Sequence, residues 1–211
     1  MVHELKEPEI RRAEILDVAE ELFNTKGFDV TTTGDILQKA GIARGTLYYH
    51  FKSKDEILDA VIEREINRQI EALKPIIHDH RLDALEKIKQ LFFHQQNNQE
   101  NEKMLEYLHH PENLVMHHKS LIQGVRKLAP VIAEIIQQGI NEEMFHNEHP
   151  LELTEFLLVG MNFLFDTSIF SWSPDQLGIR MQTLADILET SLRTEKGSFG
   201  FLILPAQETQ G

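Results

Sequence analysis

Apolar residues recur along this chain at steps of three and four, the spacing of one helical face, and no segment alternates as a strand would. Within Glu9–Lys26 the apolar positions are Leu16, Ala19, Leu22 and Phe23, and Gly27 supplies a stop. Thr31, Thr32 and Thr33 follow, short hydroxyl side chains suited to capping a helix start. They predict a short helix to about Ala40, a tight turn at Gly41, and a second short helix over about Arg44–His50. Ser53 with Glu56 has the capping-box pattern and predicts a long helix to about Leu73, ended by Pro75. Further helices are expected near 81–97, 101–109, 112–139, 150–170 and 174–194, with Pro111, Pro150 and Pro174 near their starts. The expected fold is all-α, with about nine helices.

A helix, a capped short helix, a glycine turn and a second short helix make a helix-turn-helix, whose second short helix enters the major groove. Ile36, Leu37, Ala40, Ile42, Leu47 and Phe51 are spaced to share a small core with Leu16, Ala19 and Phe23. That leaves Arg44, Thr46, Tyr48, Tyr49, His50, Lys52 and Lys54 more exposed. The expected organisation is a three-helix DNA-binding domain over 1–55, a helical ligand-binding and dimerisation domain over 56–194, and a tail over 195–211. The apolar patch Phe199–Leu204 of that tail is expected to pack back on the body.

Composition narrows the class. The 211 residues are 41% hydrophobic and 26% charged, which suits one large or two small globular domains. Zero cysteines exclude disulfides and thiolate sites and fit a reducing compartment. The start of the chain has no apolar signal core. The longest apolar run, Phe156–Phe165, is broken by Gly160 and Asn162 and is too short for a bilayer. A cytoplasmic protein with no membrane partner is expected. The formal net charge is −13, yet residues 36–54 hold no Asp or Glu while carrying Lys39, Arg44, Lys52, Lys54 and His50 with Tyr48 and Tyr49. Such a local basic and aromatic patch suits a phosphate backbone. Residues 1–55 hold 8 basic and 10 acidic side chains, against 13 and 24 in the remainder, so the acidic body would be repelled by DNA.

The string TTTGDILQKAGIARGTLYYHFKSKDEIL closely resembles the DNA-binding domain of the tetracycline-repressor (TetR) family. The resemblance implies that Arg44, Gly45 and Tyr48 face the groove, and that Thr33, Thr46, Tyr49, His50 and Lys54 contact phosphate. Arg44 leads for specificity, because arginine to guanine is the commonest direct readout. Arg11 and Arg12 are weaker phosphate candidates on the first helix.

In the body, Leu177, Met181, Leu184, Leu188 and Leu192 form a narrow seam. Leu153, Phe156, Leu157, Gly160, Phe163 and Leu164 make the preceding helix apolar on more than one side, as pairing across a two-fold axis requires. Phe156, Gly160, Leu177, Met181, Leu184 and Leu188 are thus expected at a homodimer interface, as the resemblance also implies; an internal hairpin is the alternative. Phe92, Leu105, Leu108, Met116, Ile122 and Phe163 are the candidate lining of an effector pocket. His109, His110, His117 and His118 lack metal-ligand spacing, and no metal or cofactor is expected.

These features predict a ligand-responsive transcriptional regulator, of repressor type, that binds a two-fold-symmetric double-stranded DNA operator as a dimer. A small apolar or amphipathic effector would release it, with Glu56–Leu73 transmitting the change. A DNA-binding regulator without a ligand is the alternative. An enzyme is a remote one, since no glycine-rich phosphate loop, nucleophile elbow or metal signature is present.

Overall fold

The computed structural model describes residues 7–97, 114–166 and 169–203. Among them the regular elements are helical: α1 (Pro8–Lys26), α2 (Thr33–Ala40), α3 (Arg44–His50), α4 (Lys54–Ile77), α5 (Ala84–Asn97), α6 (Leu114–Asn141), α7 (Pro150–Leu164), α8 (Pro174–Leu192) and a 3-10 turn (Gly200–Leu202). The helix expected near 101–109 lies outside the described residues, as do Leu105, Leu108, His109, His110 and Pro111. No helix among the described residues is long and apolar enough to cross a membrane. The chain divides into two units, residues 1–68 with 103–123, and residues 69–102 with 124–211.

In the first unit, α1 buries Ile15, Leu16, Ala19 and Phe23 along one stripe, and Phe28 meets Phe23 edge-on at 5.2 Å. Ile36 of α2, Leu47 of α3 and Phe51 are likewise buried, while Leu37, Ala40 and Ile42 are only half-buried. Ile57, Leu58, Val61, Ile62 and Ile66 give α4 its buried face. Ion pairs reinforce the packing: Arg64 of α4 reaches Asp17 at 2.7 Å and also pairs with Glu20 on α1, and Arg68 reaches Glu20 at 3.1 Å. From the start of α6, Lys119 meets Asp59 at 2.8 Å and Asp55 at 3.6 Å. Burial disfavours the Lys119 charge, but the hydrogen bond and charge of Asp59, with the charge of Asp55, outweigh it and raise its pKa.

Pro75 does not end α4, which runs on to Ile77. Proline has no N–H to give the Glu71 carbonyl, so the helix passes Pro75 at the loss of one i→i−4 bond. The end is instead held by Lys87, a buried lysine whose ammonium donates to the Ile77 carbonyl (2.6 Å) and to Gln138 Oε1 (2.7 Å). Gln138 Nε2 donates onward to the Leu82 carbonyl (3.1 Å) and to Glu142 (2.6 Å), whose other oxygen accepts from the Ala84 amide (3.0 Å). Six residues thus close the polar groups where α4 ends and α5 begins.

The core of the second unit joins Ile135 and Ile136 of α6 with Phe145, Leu184, Ala185 and Leu192. Phe199, Phe201 and Leu202 belong to the same core, so the described part of the tail is structural; Leu204 lies outside the described residues. Gly139 marks the tightest approach, because a Cβ there would overlap the buried ring of Phe145. Alanine would gain up to about 1 kcal/mol of helix propensity, yet overpacking a core costs about 1–3 kcal/mol. Gly139→Ala is therefore expected to lower the urea midpoint with an unchanged m-value.

Candidate nucleic-acid interface

Each of the three threonines has a different position. Thr31 is buried and its hydroxyl donates to the Gly27 carbonyl at 2.6 Å. Thr32 caps α2: its hydroxyl oxygen accepts from the Asp35 amide (3.1 Å), and the Asp35 carboxylate accepts from the Thr32 amide (2.8 Å). The Thr32 hydroxyl, and next Lys26 at 2.9 Å, hold the Asp35 carboxyl well below the usual carboxylate range. Thr33 is the first residue of α2 and half-buried. Gly41 then takes a left-handed conformation (φ 62°), which lets the chain turn sharply into α3.

The inward side of α3 is anchored by Leu47 and, just past its end, by Phe51. Outward stand Arg44, Gly45, Tyr48 and Tyr49, with Thr46 and His50 half-buried at the margins. Tyr48 is 42% and Tyr49 76% exposed. The Arg44 guanidinium lies over the Tyr48 ring at 5.4 Å, and the Tyr49 ring meets the His50 imidazole edge-on at 5.0 Å. Among the described residues, and apart from its chain neighbours and its own helix backbone, no atom lies within 4 Å of where a Cβ on Gly45 would sit. Six of the eight sequence-predicted groove and phosphate residues are therefore gathered on α3, while Thr33 stands on α2 and Lys54 begins α4.

Lys54 is engaged within the chain. Its ammonium donates to the carbonyls of Phe28 (2.7 Å), Thr31 (2.9 Å) and Asp29 (3.3 Å) and lies over the Phe28 ring at 4.2 Å. An ammonium has three protons, and all three are donated within the chain. Lys54 thus ties the segment before α2 to the start of α4. Lys39 is also engaged, with Glu21 at 2.5 Å. Among the described residues Arg44 and Lys52 have no carboxylate partner. Of the two α1 candidates, Arg11 pairs with Glu14 at 2.8 Å, whereas Arg12 lies over the Phe51 ring at 5.0 Å. Glu56 completes the cap of α4 one residue off the expected pattern: its amide donates to the Ser53 hydroxyl, but its carboxylate accepts from the Lys52 amide at 2.6 Å.

A model for bacterial regulatory proteins of the tetR family matches residues 15–61, and a model for a tetracyclin repressor-like C-terminal domain matches residues 94–187. The chain belongs to the TetR family. The transcriptional repressor KstR2 of Mycolicibacterium smegmatis is 36% identical over 86 residues, 41% of this chain and 42% of that protein. This TetR-family chain spans less than half the length of the curated relatives it matches. In fold it is similar to RolR in complex with resorcinol (TM-score 0.63, 18% identity, 94% of this chain and 95% of that one). It is also similar to regulatory protein TetR from Rhodobacter sphaeroides (TM-score 0.55, 17% identity, 83% and 97%).

In the body of this TetR-family chain most of the α8 seam faces inward: Leu184 and Leu192 are buried in the core of their own unit, with Met181 and Leu188 packed against it, while Leu177 is exposed. A leucine stripe does not encode whether it meets its own core or another subunit. The outward apolar residues of α8 are Leu177, Ile179 and Ile187. On α7 the expected two faces are present: Leu153, Leu157 and Met161 pack on the core, while Phe156, Val159, Phe163 and Leu164 are exposed. Of the candidate effector residues, Leu105 and Leu108 lie outside the described residues. Phe92 packs edge-on against Phe93 and Phe201, at 5.6 and 6.0 Å. Phe163 stands exposed beside Phe170 at 5.5 Å. Met116, buried, and Ile122, exposed, fall in the first unit. Among the described residues no group of three or more His, Asp and Glu side chains could hold a metal ion.

Lys54→Met leaves three carbonyls without their donor. Hydrogen bonds to a charged group are worth about 1.5–3 kcal/mol, so thermal melting should show a loss of that order, larger than for Lys52→Met.

Proposed function

We propose that this chain is a transcriptional regulator of repressor type that binds double-stranded operator DNA through α3 as a homodimer and is released by a small apolar or amphipathic effector. Its role is regulatory rather than catalytic, and it acts in the cytoplasm, where the DNA is. The observation that carries the reading is Gly45. Glycine inside a helix costs about 0.5–1 kcal/mol relative to alanine. Gly45 has no left-handed torsion, and among the described residues no other part of the chain fills the space where its Cβ would stand. That space leaves room for a close partner from outside the chain, and Arg44 and Tyr48 flank it. DNA supports this better than any other partner, because a guanidinium without a carboxylate partner sits beside it in an otherwise acidic chain.

The reading is tested with the duplex that the full chain selects from a random pool. Gly45→Ala is expected to raise the melting temperature and to weaken binding of that duplex, two effects of opposite sign. Tighter or equal binding would count against the assignment, as would selection that recovers no sequence preference.

Pairing of subunits is assigned to the outward face of α7 with that of α8. Phe156 is 81% exposed, Val159 and Phe163 follow at steps of three and four, and Ile179 and Ile187 stand outward on α8. An operator with two half-sites needs two heads, and a second copy is the occupant that covers this face and supplies one. Phe156→Glu should convert the protein to a monomer in sedimentation and weaken operator binding; a persistent dimer would place the interface elsewhere. Effector control is supported by the fold shared with RolR, whose structure holds resorcinol. The transmitting element is α4, because it contributes residues 54–68 to the unit that holds α3 and 69–77 to the other.

A further inference from the structure

Arg44 and Tyr48 are four residues apart on α3, so both side chains fall on one face of the helix. The guanidinium carbon lies 5.4 Å from the centre of the Tyr48 ring. We propose that Tyr48 is a positioning residue: its ring holds the Arg44 guanidinium in the pose that reads a guanine, and so sets operator specificity through arginine rather than through a base contact of its own. This rests on the DNA-binding reading above and deepens it.

The chemistry of the contact decides what stays available. An aromatic ring engages the flat face of a guanidinium, whereas guanine O6 and N7 are met by the N–H fork in its plane. The two contacts therefore coexist. A carboxylate would compete, because it takes the fork itself; among the described residues Arg44 has no such partner, unlike Lys39, which is held by Glu21. Arginine is rotamer-rich, so ordering it before DNA arrives lowers the entropic cost of recognition. Gly45, with open space where a Cβ would stand, keeps the approach beside the pair clear. Tyr49, on the neighbouring turn position, meets His50 instead, so the two adjacent tyrosines have separate roles.

The test is a double-mutant cycle on the duplex selected by the full chain, read by fluorescence anisotropy, with a second duplex in which the guanine opposite Arg44 is replaced. Tyr48→Phe keeps the ring and should change affinity by less than about twofold, with the guanine preference intact. Tyr48→Leu should weaken the selected duplex by about fivefold and the replaced duplex far less. In the Arg44→Ala background the leucine change should add less than about twofold. The ratio between the two duplexes does not depend on the fraction of folded protein, so a destabilised variant still answers. Equal losses from Tyr48→Leu with and without Arg44, or a loss in Tyr48→Phe equal to that in Tyr48→Leu, would overturn the positioning role and give Tyr48 a DNA contact of its own. If Arg44→Ala alters the base preference nowhere, the reading of DNA by Arg44 fails first, and the proposal with it.

Discussion

The ammonium of Lys54 is the contact on which the outward face of α3 depends. It draws together the carbonyls of Phe28, Asp29 and Thr31, from the segment between α1 and α2, at the first residue of α4. Between those two attachments lie α2, the Gly41 turn and α3, held at both ends. Thr31 is buried under the same loop and ties it to Gly27, and Phe28 packs on Phe23. A helix of seven residues cannot persist alone in water, where about 12–15 are needed even for good helix formers. The recognition helix exists because the loop, Leu47 and Phe51 fix its inner side, and what it presents follows from that.

This redistributes the positive charge that residues 36–54 carry. Four cations stand there in sequence, and two are internal devices: Lys39 joins α2 to Glu21 on α1, and Lys54 closes the loop. Arg44 and Lys52 are the ones left facing outward. Freedom from acidic residues is also a weaker signal than it looks, because residues 113–133 contain no Asp or Glu either. In that second run Lys119 is drawn to Asp55 and Asp59, two carboxylates just beyond the first. Charge pattern marks where cations gather, and only the fold shows which of them are spent on the chain itself.

What could be read from the residues was what local chemistry determines. The bounds of α2 and α3 follow from Thr32, Gly41 and the apolar steps between them, and the capping box and left-handed turn act over a few residues. Long-range relations were not legible. Pro75 announces a stop, yet α4 passes it and ends at Ile77, where Lys87 from another helix supplies the donor. The α8 leucines form a regular stripe, but the tail residues Phe199, Phe201 and Leu202 belong to the core that takes it up, and nothing local to α8 says so. The role of Lys54 was hidden for the same reason, since its partners lie more than twenty residues earlier.

A reader built this way couples stability to recognition unevenly. Side chains that touch DNA need contribute little to the fold, and Gly45 even weakens its own helix. Side chains that hold α3 face inward and decide whether its outward face exists. The two classes interleave in sequence: Arg44 faces outward, Leu47 inward, Tyr48 outward, Phe51 inward and Lys54 into the loop. Loss of binding on substitution in this segment therefore does not identify a DNA contact. The discriminating quantity is base preference or salt dependence, which a support residue leaves alone and a contact residue changes. Arg64 extends the support one layer further, because its ion pairs to Asp17 and Glu20 hold α1 against the helix that carries Lys54. In the first unit α4 thus holds the loop before α2 through Lys54 and α1 through Arg64, the supports that carry α2 and α3.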